Sequence, residues 1–191
     1  MIVNGIDTAA LAAFGEQLET TPEAAAMAVR VRTRWEQTYP TVADAEEVVV
    51  AGERVPRRAS LTVDLPELFG GRDEGPAPAE LLLAALGTCV SQGVAEGAAL
   101  RGLAIERLEM TIEGQLDLRG TAGLDNVRPG LDGVRLAVRV AADATSPVLD
   151  EILEKALATS PVADSLRRGV SVDTELQVAA HASITDRHGE G

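Results

Sequence analysis

The sequence predicts an α+β fold in which antiparallel sheets pack against a central buried helix. Its longest uncharged run lies in the middle of the chain, within residues 76–101, and contains the only cysteine, Cys89. The segments on either side alternate apolar and polar residues, as half-buried strands do. The predicted order is one helix, three strands, the central helix, two strands, two short helices and a last strand. Helices and strands segregated in this way are typical of the α+β class.

The central segment has the features of a core helix. Residues 81–95 are fifteen positions without a charge, fewer than the ~20 that cross a bilayer. Pro78 suits the first turn of a helix, and Gly102 suits the position after its end. The small residues in the middle would let another backbone approach closely, for example a second copy of the same helix.

The N-terminal part begins with a helix that Asp7 would cap and that ends before Pro22. A strand follows, in which Val29, Val31, Thr33 and Trp35 alternate with Arg30, Arg32, Arg34 and Glu36. The arginines either form a site or pair with carboxylates on neighbouring strands as a solvated face. Two further strands are predicted at 46–50 and 59–65, and then a loop rich in Gly and Pro leads to the central helix.

The C-terminal part repeats the strand pattern three times, at 108–118, 134–140 and 170–178, which predicts an antiparallel sheet with one solvated face. The connection at 120–133 is longer than a hairpin loop and is either a functional loop or a poorly ordered one. Ser146-Pro147 and Ser160-Pro161 each open a helix, and Gly169 ends the second. We expect an N-terminal helical extension at 1–26, one domain at 27–178 and a polar tail at 179–191.

Composition excludes several classes of function. A net charge of −13 repels phosphate backbones and anionic bilayers, so neither nucleic acid nor membrane is an expected partner. The N-terminus lacks the pattern of a signal peptide, and one cysteine cannot form an intramolecular disulfide, so we expect a cytoplasmic protein. The two histidines, His181 and His188, lie in the polar tail. We predict no metal site and no cofactor.

Helical geometry identifies the neighbours that Cys89 would have on its own helix. At about 100° per residue, Gln92 and Glu96 fall on the same side as Cys89, whereas Glu80 points about 180° away. Glu96 is therefore the charged residue of this helix best placed to serve the thiol. Gln92 and Glu96 are candidate ligand-binding residues.

Three segments together resemble the OsmC/Ohr family, named for osmotically induced protein C and organic hydroperoxide resistance proteins. They are GPAPAELLLAALGTCVSQGVAEGAALRGLAIERLEMTIEGQLDLRG, VRPGLDGVRLAVRV and ATSPVADSLRRGVSVDTELQ. The resemblance implies an intertwined homodimer with active sites at its interface. It also implies reduction of organic or fatty-acid hydroperoxides by two cysteines, assisted by a glutamate and an arginine.

The residues of this family pattern are only partly present. The first cysteine corresponds to Cys89, but the second corresponds to Ser160, which is also a sufficient N-cap of the helix that Pro161 begins. The family glutamate would stand at Ala79, and Glu80 is one position later. The arginine would come from the N-terminal strand, where we take Arg34 as the candidate.

Two functions follow from the resemblance. In the first, Cys89 reduces a small hydrophobic peroxide with help from Arg34 and Glu80, and an external thiol restores it. In the second, the chain has lost turnover and binds a small apolar ligand at the dimer interface. Ser160 is a candidate ligand-binding residue in either case.

Overall fold

The computed structural model describes residues 1–35, 37–124 and 126–178. The architecture is α+β, as predicted, with every strand pair antiparallel. The strands are β1 (Ile2–Val3), β2 (Ile6–Asp7), β3 (Met27–Trp35), β4 (Thr41–Val50), β5 (Glu53–Pro56), β6 (Ser60–Val63), β7 (Ile105–Gln115) and β8 (Gly133–Ala142). The α-helices are α1 (Thr8–Thr20), α2 (Pro78–Leu100), α3 (Leu118–Thr121), α4 (Ser146–Thr159) and α5 (Pro161–Arg168).

A short hairpin of β1 and β2 opens the chain, and the sequence analysis missed it. Asn4 and Gly5 form its turn with φ values of 54° and 77°, the backbone that an Asn-Gly hairpin turn requires. The Asn4 side chain donates to the Leu103 carbonyl at 3.0 Å and accepts from the Ile105 N–H at 2.8 Å. These bonds attach the N-terminus to the chain just after α2.

The N-terminal sheet has β4 in the middle, with β3 along one edge and both β5 and β6 along the other. Ala51 and Gly52 join β4 to β5 with φ values of 51° and 81°, again a two-residue hairpin turn. All nine residues of β3 are exposed. Neither face of this strand is therefore covered by the described part of the chain.

The core lies around α2, which packs against α4, α5 and β7. Its buried side chains are Leu86, Val90, Val94 and Ala98 from α2, with Ile152 and Ala156 from α4 and Ala163 from α5. The small residues of α2 serve this packing. A β-carbon on Gly93 would lie 3.0 Å from the Ala156 β-carbon, and one on Gly97 would lie 3.1 Å from Ile152. At these two positions the close partner is α4 of the same chain.

By length and composition, α2 could cross a membrane, since it has 23 residues and a mean hydropathy of 1.3 over its most apolar window. Its packing on α4, α5 and β7 is that of a core helix. Glu80 and Glu96 also occupy exposed positions on it, and charge at such positions is costly in a bilayer.

Two strand predictions in the C-terminal part are wrong. Residues 170–178 have no strand, and Val172 and Leu176 are 81% and 87% exposed. A strand needs a neighbour for its backbone hydrogen bonds, and the described chain places none beside this segment. The sheet therefore has two strands, β7 and β8, instead of three. The strand predicted at 108–118 ends at Gln115, and Leu118 begins α3, which Asp117 caps.

The predicted domain limits stay predictions. The hairpin, α1 and a 3₁₀ helix at Pro22–Ala25 precede β3. The polar tail at 179–191 lies outside the described residues.

Candidate functional site

Cys89 lies near the middle of α2 and is partly buried. Helical spacing places it on the side of the helix that also carries Leu82 and Leu86. The thiol is thus neither sealed in the core nor fully open to solvent.

Ser160 lies directly against this sulfur. Its hydroxyl caps α5 by accepting from the Ala163 N–H at 3.1 Å, and it donates to the Cys89 Sγ at 3.1 Å. Ser160 is only 3% exposed, so packing holds the hydroxyl in place. The sequence predicted the cap, because Ser-Pro is a typical helix start. The contact with Cys89 spans 71 residues, and no local pattern could reveal it.

The surroundings of the sulfur favour negative charge on it. A donated hydrogen bond stabilises an anionic acceptor. The N-terminus of α5, which Ser160 caps, adds the partial positive charge of the helix dipole on the same side. Both are features of sites where a cysteine acts as a nucleophile.

Glu80 has a structural task away from the sulfur. Its Oε2 accepts from the backbone N–H of Ala77 at 2.7 Å, which closes the first turn of α2. Such a bond satisfies a donor that the helix start would otherwise leave free. Glu80 is exposed, and α2 extends nine residues from it to Cys89.

Arg34 lies in the N-terminal sheet and pairs with Asp44 on β4. The other two arginines of β3 are also paired across the sheet, Arg30 with Glu47 at 3.2 Å and Arg32 with Glu46 at 2.6 Å. A hydrogen bond from Ser60, and then one from Arg34, lower the pKa of Asp44. Of the two interpretations of the basic face, the one with paired carboxylates matches these contacts.

Gln92 and Glu96 are both exposed on α2. Within the described ranges, the side-chain hydrogen bonds and ion pairs include neither of them. They share the side of Cys89 along the helix, but the structure brings only Ser160 into contact with the sulfur. Groups of His, Cys, Asp and Glu that could hold a metal ion are also not found among the residues described.

A cavity of about 630 Å³ lies beside the site, between α2, β8 and the helices α4 and α5. Leu86 contributes to its wall three residues before Cys89, and Ala163 contributes where it bonds to Ser160. The volume is within the range of roughly 300 to 1,000 Å³ typical of small-molecule sites. A small apolar molecule could therefore reach the neighbourhood of the sulfur.

A model of the family described as OsmC-like protein matches residues 71–175. The chain belongs to this family. This OsmC-like protein also has the fold of solved relatives. An OsmC-like protein from Mycoplasma pneumoniae is 16% identical, with a TM-score of 0.59 over 74% of this chain and 89% of that one.

Two more structures of the same fold carry functional names. An organic hydroperoxide resistance protein OsmC from Legionella pneumophila is 17% identical, with a TM-score of 0.50 over 74% of this chain and 90% of its own. One from Elizabethkingia anophelis, described as an organic hydroperoxide resistance protein, is 15% identical, with a TM-score of 0.52 over 74% and 89%. A comparison with curated proteins found no match.

The loop before α2 is held by one buried carboxylate, which the sequence analysis did not single out. Asp64 is 2% exposed and accepts from the backbone N–H groups of Leu65, Arg72 and Glu74 at 2.8, 2.8 and 3.3 Å. Burial acts to raise the pKa of Asp64, but the three N–H donors together outweigh it, and the pKa is lowered from 3.8. Asp64 thus fixes the loop that leads into the helix of Cys89.

Proposed function

We propose that this OsmC-like protein reduces organic hydroperoxides through Cys89, with an external thiol as the reductant. The observation that carries the proposal is the hydrogen bond from the buried Ser160 hydroxyl to the Cys89 sulfur at 3.1 Å. The partly exposed sulfur can be reached from solvent, and its charged form has a fixed donor. These are two requirements of a thiolate nucleophile.

The reaction balances with two reducing thiols. The Cys89 thiolate attacks the terminal oxygen of ROOH, an S–O bond forms as the O–O bond breaks, and the departing alkoxide takes a proton to give ROH. A reductant thiol then attacks the sulfenic sulfur and releases water, leaving a mixed disulfide. A second thiol breaks this disulfide and restores Cys89. The sum is ROOH and two thiols giving ROH, water and a disulfide.

An external thiol is needed because Ser160 stands where the family pattern has a second cysteine. A hydroxyl cannot form a disulfide with Cys89, so the sulfenic acid has no resolving partner on this chain. We therefore place the protein in the cytoplasm, where small and protein thiols are kept reduced. The names of the Legionella and Elizabethkingia relatives support the peroxide substrate class.

The active form we propose is an intertwined homodimer. One side of β3 is apolar and uncovered, with Val29 and Val31 68% and 61% exposed and Trp35 70% exposed. The segment 170–178, with its strand-like alternation, is also uncovered. Exposed apolar faces of this kind mark interaction surfaces, and a second copy would supply the missing cover for both. It would also bring the arginine-bearing strand of one subunit to the other.

The proposal is tested by reacting the purified protein with one equivalent of cumene hydroperoxide and measuring the intact mass. We expect an increase of about 16 Da in the wild type and none in Cys89→Ser. Adding a small thiol should return the original mass. A wild-type protein that stays unmodified, with Cys89 alkylated only slowly, would contradict the proposal.

Binding without turnover is the second candidate function. It is favoured because Glu80 is engaged in capping α2 and Arg34 is paired with Asp44, while the cavity of about 630 Å³ remains. In this case the small apolar ligand would be bound and Cys89 would stay a reduced thiol. The same mass measurement separates the two functions, since only the first adds oxygen to Cys89.

A further inference from the structure

The cavity beside the site combines an apolar wall with positive charge. Six leucines line it: Leu82, Leu86, Leu131, Leu136, Leu157 and Leu166. Arg128, Arg167 and Asp132 also line it, and all three are exposed. The charged groups therefore stand where the cavity meets solvent, and the lining carries one net positive charge. In a protein of net charge −13 this local sign is the reverse of the whole.

Both guanidinium groups are positioned at the cavity. The Arg167 Nη1 donates to the carbonyl of Leu157, itself a lining residue, at 3.4 Å. Arg128 folds back over Gly130, where a β-carbon would lie 3.2 Å from its Nη2. Among the residues that the structure describes, neither arginine forms an ion pair, in contrast to the three arginines of β3. Their charge is available to a ligand.

We propose that the cavity binds a monocarboxylate with an apolar chain, and that Arg128 and Arg167 hold the carboxylate at the mouth. The planar donors of arginine match a carboxylate in pairs. The six leucines fit an alkyl chain, and the single net positive charge of the lining suits a monoanion, because Asp132 would repel a more highly charged group.

The far end of such a chain would point along α2 toward the sulfur. Leu82 and Cys89 are seven residues apart and lie on one side of the helix, about 10 Å along its axis. Binding of the carboxylate does not depend on the peroxide chemistry. Where the proposed function also holds, the two arginines select peroxides that carry an anionic head.

Calorimetric titration with sodium dodecanoate and with dodecan-1-ol, both below their aggregation limits, tests the inference. We expect saturable binding of dodecanoate and binding of the alcohol at least about tenfold weaker. Arg128→Gln and Arg167→Gln should each weaken dodecanoate binding by about tenfold, and Arg167→Lys should recover part of the loss. Arg139→Gln, which removes the same charge from an exposed position on β8, should bind like the wild type. A thermal melt of each variant checks that it is folded.

Several results would overturn this assignment. They are the absence of dodecanoate binding, equal binding of the alcohol, wild-type affinity in both glutamine variants, or tighter binding of dodecyl phosphate than of dodecanoate. Parallel oxidation of the wild type by cumene hydroperoxide, which has no anionic head, keeps the two proposals apart. If Cys89 is oxidised but dodecanoate does not bind, only the carboxylate site fails. If dodecanoate binds but Cys89 is not oxidised, only the peroxide reaction fails.

Discussion

The two halves of the chain differ in what covers their apolar side chains. In the half that contains α2, Val90 and Ile152 are 0% and 1% exposed, whereas Val29 and Val31 in the N-terminal sheet are 68% and 61% exposed. The residue types are alike, and both halves alternate or repeat as their elements require. One half buries its apolar face within the chain, and the other leaves it for a partner. Their stabilities should therefore respond to different changes.

The largest expected effect is in the covered half. Ile152→Ala removes a fully buried side chain between α4 and α2, and we expect a loss of about 2 to 5 kcal/mol in the free energy of unfolding. Urea unfolding followed by circular dichroism measures it. Leu176→Ala is the matched change at a residue that is 87% exposed, and it should cost less than about 0.5 kcal/mol in a single chain. Similar losses for both would remove the difference between the halves.

The next effect concerns the uncovered sheet. If a second copy covers β3, Val31→Asp places a charge in that interface and should weaken dimerisation by at least about tenfold. Sedimentation velocity over a range of protein concentrations measures the change. Leu124→Asp, at a residue that is 55% exposed and outside the sheet, is the control. A wild type that stays monomeric at every concentration would contradict the homodimer.

The pH dependence of stability should come in part from Asp64. Because the pKa of Asp64 is lowered in the folded state, its contribution is fully present above the unfolded pKa of about 3.9 and is lost as pH falls through the folded pKa. Asp64→Asn should lower the melting temperature by several degrees at neutral pH and by less in acid. Melting curves recorded at a series of pH values check this. An equal shift at every pH would show that the carboxylate charge does not matter.

The smallest effect is expected from the ion pairs of β3. Arg32 and Glu46 lie 2.6 Å apart, but the arginine side chain is 62% exposed. Exposed pairs are screened and contribute little. Arg32→Ala should change the free energy of unfolding by less than about 0.5 kcal/mol in urea unfolding, and added salt should not alter that result. A loss above 1 kcal/mol would mean that this face is covered in solution.

Local patterns predicted most elements of the fold. Asp7, Pro78 and Ser160 each act at a helix start within one or two turns, so their effects can be derived from neighbouring residues. The strand predicted at 170–178 shows the limit, because strand formation depends on a partner that local alternation cannot supply. The Asn4-Gly5 turn was predictable from its two residues and was overlooked.

The site was less accessible to sequence reasoning. Helical spacing grouped Gln92 and Glu96 with Cys89, but the hydroxyl that contacts the sulfur comes from the start of α5, 71 residues away. Asp64 and Arg128 acquire their significance from tertiary contacts, with backbone N–H groups and with a cavity. Such contacts have no signature in residue spacing. The family resemblance indicated position 160 but gave no reason for a serine there.

The most direct test of the account is the rate at which cumene hydroperoxide oxidises Cys89 when the Ser160 hydroxyl is removed. Rates are taken from intact-mass time courses of the wild type, Ser160→Ala and Asp7→Ala. Both variants lose a helix cap worth about 1 kcal/mol, but only Ser160→Ala loses the donor to the sulfur. We predict that Ser160→Ala slows oxidation by about 10- to 100-fold and that Asp7→Ala oxidises at the wild-type rate. Oxidation of Ser160→Ala at the wild-type rate would contradict the account.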